Sequence, residues 1–544
     1  MGRKLVPFCL MGIAIASAGI VLGAMTAPAG ADPLARPAPS KSASGADITV
    51  DGSQRFQRID GFGVNANPKN WSAYPQPGGL GPALDLLVND LGATLWRVDV
   101  FGNSNWEATN DNADPFTPDW NYFNNLYGTN PYFQDLWSTL ARLNADGIQP
   151  ILSASGVVPG WMGGTQINND DEFVETFATL LYYARNTKHI QFTWADPLNE
   201  TDKGQPEGPL VDASEFDTIL AKLRARLVSM NMSDVRLIAP ETTRPNSTYD
   251  GAILADTNVA PYVAAYAGHA YTPADVSSLV SQIKSSANPA PNFWVTEYSS
   301  TLYGFLDGGQ QVPDEWAFTK DMENNLFSFL STGASAALVW DAYDNYHDHA
   351  QSFTYWGLLA TLSNYAPKKR YYGAKQVFAY VKPGSVRVQA TSTQNGVTAL
   401  AFVNDATGTV TIVGMNTNSG SQALTGSISN FSAPSSLTLY QTTSTLNAAN
   451  GGSVAVNAGN FTVTVAGDSI FTLTGSSCGI ICATPTPSPT PSATRSVGGI
   501  ADVAHVPPGS QASGSSSWPW LAAASGIVAL AAAGVVARRR HRPR

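Results

Sequence analysis

One unit recurs along the first two thirds of the chain. A run of apolar residues at helical spacing is followed by a stop, often a glycine, and then by a short apolar strand. Leu80, Leu84, Leu87, Val88 and Leu91 stop at Gly92 before the strand 94–100, and Phe133, Leu136, Trp137, Leu140 and Leu143 stop at Gly147 before 150–153. Phe173, Val174, Phe177, Leu180 and Leu181 lead to the strand before Glu200, and Phe216, Ile219, Leu220, Leu223 and Leu227 lead to 236–240. Val276, Leu279, Val280 and Ile283 lead to 293–299, and Trp316, Met322, Leu326 and Phe329 pass Gly333 into 336–341. With 61–65 as the first strand and 266–271 as the sixth, eight βα units fill roughly 300 residues, which is what a (β/α)8 TIM barrel needs. The expected fold is α/β, with that barrel over residues 59–380.

Two of the strands end in a lone glutamate. Asp196-Pro197-Leu198-Asn199-Glu200 closes the fourth, and Trp294-Val295-Thr296-Glu297 closes the seventh, 97 positions later. Both carboxylates belong on the carboxyl rim of a barrel, where α/β folds do their chemistry. One such Glu is an ordinary loop carboxylate; two suggest a paired-carboxylate enzyme. Gly61-Phe62-Gly63-Val64-Asn65-Ala66 formally fits a dinucleotide fingerprint, but Asn67-Pro68 and then Pro75 and Pro77 follow it, so it opens a loop rather than a helix and implies no such cofactor. No G-x-S-x-G elbow is present. The polar stretch 341–349, with His347 and His349, reads as a solvated or substrate-facing loop, and no metal is assigned to it.

Beyond Asp341 the texture changes. Residues 381–482 are short Val/Thr/Ala-rich runs broken by Asn395-Gly396, Asn404-Asp405 and Asn450-Gly451-Gly452, which predicts an all-β sandwich packed against the barrel. Residues 47–58 are expected to add strands to it. Without residues 1–4 and 538–544 the chain has 24 basic residues against 41 acidic ones, a balance of −17 that argues against a nucleic-acid partner.

The two ends read as address and anchor. Arg3 and Lys4, an apolar run and Ala29-Gly30-Ala31 form a signal peptide over 1–31, followed by a linker over 32–46. Cys478 and Cys482 are expected to form a disulfide staple in an exported chain. A Thr/Pro/Ser-rich stalk spans 483–517, an apolar membrane anchor 518–537 and a basic cytoplasmic tail 538–544. The reading is of a monomer exported to the extracellular face of the cell membrane.

Four motifs in order give the chain a family resemblance. Ile59-Asp60-Gly61-Phe62-Gly63, Leu198-Asn199-Glu200, Trp294-Val295-Thr296-Glu297, and Tyr371-Tyr372-Gly373-Ala374-Lys375 with Tyr380-Val381-Lys382-Pro383-Gly384 resemble clan A retaining glycoside hydrolases, most of all glycoside hydrolase family 30. Departures are Thr201, where that family has proline, and Val64, where it has a second glycine. The resemblance implies a β-glycosidase acting on a polysaccharide by double displacement, with Glu200 as general acid/base, Glu297 as nucleophile and Asn199 on the sugar 2-hydroxyl. It implies no cofactor. Chemistry requires a raised pKa at Glu200 and an ionised Glu297.

Arg97 in its apolar strand is read as a salt-bridge partner of Glu297 or of another acid, and His269 and Tyr271 as rim residues near the nucleophile. Trp340, Trp161, Trp71 and Tyr298 are candidates for stacking on sugar. Xylan, β-1,6-linked glucan or galactan and glucosyl conjugates all fall within the resemblance. A catalytically silent carbohydrate-binding surface protein and a wall-polymer transglycosylase are the alternatives.

Overall fold

The computed structural model describes residues 45–73, 79–102, 106–347 and 350–477. The signal, the linker apart from Gly45 and Ala46, Cys478–Cys482, stalk, anchor, tail and His349 lie outside them. Among the described residues no helix is long and apolar enough to cross a membrane.

Strand β1 is Ile48–Arg58. Eight parallel strands follow and close on themselves: β2 Gly61–Ala66, β3 Leu95–Phe101, β4 Ile151–Ser155, β5 Trp194–Asp196, β6 Arg236–Thr242, β7 Val263–Ala270, β8 Asn292–Tyr298 and β9 Ala336–Val339. The closing pair sets Gly61 opposite Ala336. Leu95, Ile151, Ile238, Ala265, Ala267, Trp294, Ala336 and Leu338 fill the barrel, and the larger core lies between strands and helices.

The helices sit where the apolar spacing places them, for example Pro131–Ala145, Asp170–Asn186, Ala213–Ser229 and Glu315–Thr332. The glycines that end them adopt positive φ, 84° at Gly92, 79° at Gly147 and 123° at Gly333, a conformation closed to most other residues. Leu80 to Leu91, expected as one helix, is α-helical over Gly81–Asp85 and π-helical over Leu86–Leu91.

The all-β part is a ring. β1 pairs antiparallel with Val386–Ser392 and parallel with Gln422–Ser429, and seven further pairings complete a nine-stranded sheet with no free edge. Its core holds Ile48, Val50, Val388, Leu424, Phe461 and Phe471. Helix Lys369–Phe378 seats the ring on the barrel: Gln376, fully buried, donates to Thr442 Oγ1 at 2.8 Å and accepts from Thr472 Oγ1 at 2.7 Å.

Candidate active site

The rim is shaped by two irregularities in strand pairing. On β8, Trp294 points into the barrel, and strict alternation would send Glu297 outward. β8 carries one extra residue between Val295 and Tyr298 relative to both neighbours, and this bulge turns Glu297 into the mouth. Tyr298 consequently points the other way. It is fully buried and packs its ring on Phe329 at 5.5 Å, so it is no sugar platform. On β6, Pro240 and Thr242 pair with consecutive residues of β7, leaving Glu241 as the extra residue with φ 56°. Glu241 is fully buried and faces the same site.

Glu200 arrives differently. β5 spans three residues, and Pro197 to Glu200 cross the rim as a loop: the Asn199 amide donates to Ala154 O at 3.0 Å and the Glu200 amide to Glu241 O at 2.9 Å, with φ 45° at Glu200.

Arg97 on β3 lies at the centre with no exposed surface. Its guanidinium donates to Glu297 Oε1 at 2.7 Å, Asn199 Oδ1 at 2.7 Å, Asp196 Oδ2 at 2.9 Å and Asn65 Oδ1 at 3.1 Å. Arg97 therefore pairs with the candidate nucleophile and with a second acid, Asp196. Tyr271 donates its hydroxyl to Glu297 Oε2 at 2.7 Å. His269, fully buried, stands between three acids: Nδ1 lies 2.8 Å from Glu200 Oε1 and 3.3 Å from Glu297 Oε2, and Nε2 lies 3.2 Å from Glu241 Oε2. Thr296 donates to that same Glu241 oxygen at 2.6 Å, and Lys203 Nζ lies 3.2 Å from Glu200 Oε2.

One oxygen each of Glu200 and Glu297 and one nitrogen of His269 fall within 4.8 Å of one another. Such a trio has the composition of a metal site, but His269 Nδ1 already meets Glu200 at hydrogen-bond length, and a proton suffices there.

The charges settle around that histidine. Burial would lower the imidazole pKa, but Glu297, Glu200 and Glu241 together raise it well above its ordinary value. Burial would raise Glu200, yet the His269 hydrogen bond and charge outweigh it and hold Glu200 below the usual carboxylate range. Glu297 is pushed up to about 7 by burial and by Glu200, against His269 and Arg97. The resting site thus reverses the expected order of the two glutamates. The reason is His269, which holds the proton that the sequence reading assigned to Glu200.

A shallow cleft opens over this network as two adjoining hollows, of about 50 and 30 Å³, that share Asn199, Glu207 and Trp340. Trp340 lines both hollows, its ring 5.4 Å from that of His347. Trp356, Phe305 and Tyr271 add aromatic wall. Trp71 and Trp161 do not line these hollows. Trp71 packs against the barrel core, and Trp161 donates its indole N–H to Glu107 O at 2.8 Å. Burial would lower His347, but it pairs with Asp341 at 2.9 Å and Asp307 at 3.4 Å, which raises it to about 10 and makes the 341–347 stretch an ion-pair network.

Glu241 is a buried acid of the site that the sequence reading missed, along with Asp196, Asn65 and Lys203 around Arg97 and Glu200. A signal existed, since Pro240-Glu241 ends its strand much as Glu200 and Glu297 follow theirs, but the strand was read as stopping at the proline.

No family model matches the sequence. Solved structures do share the fold. A glycoside hydrolase family 30 subfamily 8 xylanase from Clostridium acetobutylicum aligns at 19% identity over 79% of this chain and 99% of its own, with TM-score 0.60. A family 30 endoxylanase from Clostridium papyrosolvens C71 aligns at 20% identity over 79% and 100%, with TM-score 0.59. An endo-β-1,6-glucanase aligns at 19% identity over 80% and 94%, with TM-score 0.59. The chain has the barrel-plus-β-domain fold of glycoside hydrolase family 30 structures over nearly their whole length.

Proposed function

We propose that the chain is a retaining glycoside hydrolase that cleaves β-glycosidic bonds of a polysaccharide by double displacement. The observation that carries the reading is the approach of Glu200 and Glu297, with carboxylate oxygens inside 4.8 Å on the carboxyl rim of the barrel. Retaining enzymes set their two carboxyls about 5–5.5 Å apart, whereas inverting enzymes keep about 6.5–9.5 Å to admit a water. The xylanase and glucanase names of the structures sharing the fold support a β-linked glycan as substrate.

In this mechanism Arg97 and Tyr271 each hold one oxygen of Glu297, opposing the burial that raises its pKa and fixing the direction of its attack. A sugar over Trp340 brings its anomeric carbon to Glu297 and its leaving oxygen to Glu200. The proton that Glu200 must deliver is one hydrogen bond away on His269 Nδ1. When the leaving group departs, Glu200 is the base that draws a proton from water for the second displacement. Asn199, fixed by Arg97, takes the sugar 2-hydroxyl. The order of basic, apolar and small residues at the start, and of stalk, apolar run and arginines at the end, supports export and tethering at the cell surface.

The test is hydrolysis of plant, fungal and bacterial polysaccharides with products followed by NMR, beside Glu297→Gln and Glu200→Gln. Retained anomeric configuration, lost with either substitution, is expected. An inverted product, or turnover unchanged in Glu297→Gln, would overturn the reading.

A further inference from the structure

Away from the catalytic rim, helix Asp170–Asn186 turns Glu172 and Glu175 inward against the loop that follows β3, where they meet Glu107 and Asp111. Glu107 and Glu175 have no exposed surface, and Glu172 is 3% exposed. Part of this acidity is tied down. Glu107 accepts from the Asp111 amide at 2.6 Å and from the Thr176 hydroxyl at 2.7 Å. Glu172 accepts from Asn110 Nδ2 at 3.1 Å, and Asp111 from the Asp119 amide at 2.5 Å.

The rest faces mainly other carboxyls. Neither oxygen of Glu175 has a hydrogen-bond partner, and the same is true of Glu172 Oε2 and Asp111 Oδ1. The charges closest to Glu175 are Asp111 and Glu107, and the carboxyl beside it is that of Glu172. Arg226 faces the group, but its guanidinium is engaged with the Phe116 carbonyl at 3.0 Å and lies over the Phe116 ring at 5.2 Å. Four acids, three of them buried and Asp111 half-buried, against one arginine leave negative charge in excess, a costly state where it is buried. Orphaned oxygens of this kind call for a proton or an ion.

We propose that Glu107, Asp111, Glu172 and Glu175 hold a divalent cation, and that Ca²⁺ is the one their chemistry fits. All four named donors are carboxylates, two from a loop and two from a helix, which suits an ion taking six to eight oxygens in flexible geometry better than the strict octahedron of Mg²⁺. Among the described residues only Glu200, His269 and Glu297 already gather ligating atoms within 4.8 Å. Ca²⁺, with ligands at about 2.3–2.6 Å, keeps opposed oxygens about 5 Å apart and so takes a wider set. The ion pins the loop after β3 to helix Asp170–Asn186. Because Trp161 bonds the Glu107 carbonyl, it steadies that indole as well.

The experiment is calorimetric titration of the chelator-treated full chain with CaCl₂, with melting temperature read in parallel, for wild type, Glu175→Gln, Asp111→Asn and Glu297→Gln. One Ca²⁺ per chain and a melting temperature raised by several degrees are expected in wild type and Glu297→Gln, with at least tenfold weaker binding in the other two. Glu175→Gln relieves the repulsion, so it folds without the ion and its melting temperature ignores chelator. Folded wild type that shows neither heat nor stabilisation at millimolar Ca²⁺ would mean that protons neutralise the acids, and the proposal fails. It fails too if both loop and helix variants bind as wild type does, or if only Glu297→Gln loses the ion, which would place it in the catalytic trio.

Discussion

Arg97 has every donor committed, to Glu297, Asn199, Asp196 and Asn65, and Glu241 and Asp99 stand 3.7 Å away. Replacing it by methionine leaves buried acids without their cation, and breaking such a group costs about 3–5 kcal/mol. Urea unfolding of Arg97→Met should show that loss; a cost below about 1 kcal/mol would mean that the acids take up protons at little expense. Glu241 touches no substrate position but sits on the far nitrogen of His269, where its charge favours the imidazolium. Glu241→Gln should therefore move the alkaline limb of kcat/KM to lower pH, because the site proton is lost sooner, while leaving KM nearly unchanged. An unshifted limb would make Glu241 merely structural. At this scale Glu200, Glu297, Arg97 and His269 were legible because an acid at a strand end, or a cation inside an apolar strand, needs an explanation. Glu241 and the true direction of Tyr298 were not, because both depend on a bulge, and one inserted residue leaves no periodic trace.

Strands and helices carry their own constraints. Gly63 on β2 lies so close to β3 that a Cβ there would stand 1.8 Å from the Leu95 carbonyl oxygen. That atom belongs to the barrel backbone, so it cannot yield as a side chain would. Gly63→Ala should cost about 3 kcal/mol or more, at the upper end for overpacking, and a melting temperature within a degree of wild type would refute the close approach. Helices were legible because apolar spacing and a glycine stop agree, as at Gly147 and Gly333. β5 was legible in place but not in length. The apolar run that leads to Glu200 promises a long strand, yet only Trp194–Asp196 pairs, and the segment beyond Pro197 gives its amides singly to β4 and β6.

For the molecule as a whole, buried acids and histidines decide how stability follows pH. Burial pushes Glu323 up to about 8 and Asp217 up to about 6, and against burial the acids around His347 raise it to about 10. Between the ordinary value of each group and its folded value, the native state holds a proton that the unfolded chain releases. Rising pH therefore draws these groups toward the unfolded state. Asp405, lowered by Arg55, acts in the opposite sense but only below about pH 4. The melting temperature should fall between pH 5 and pH 9, and scanning calorimetry across that range checks it; a rise would show that these acids are ionised in the native state. The two-part architecture was legible from the shift between helical spacing and Asn-Gly-punctuated strands. The ring was not, since which strand lies beside which follows from packing rather than from local pattern.

That ring also sets an order in time. Strand β1 is bridged to Gln422–Ser429, with Asp47 hydrogen-bonded to Thr425, 378 positions away. This stretch leaves the ribosome well ahead of its permanent neighbours and cannot reach them until the residues between have been made. Contacts of such span slow folding, because the loop between them must close before they repay it. Until then Ile48 and Val50 lack the core they are buried in. Assembly of the β part is therefore a late, all-or-nothing event, and a chain interrupted before its final strand keeps an open, adhesive edge.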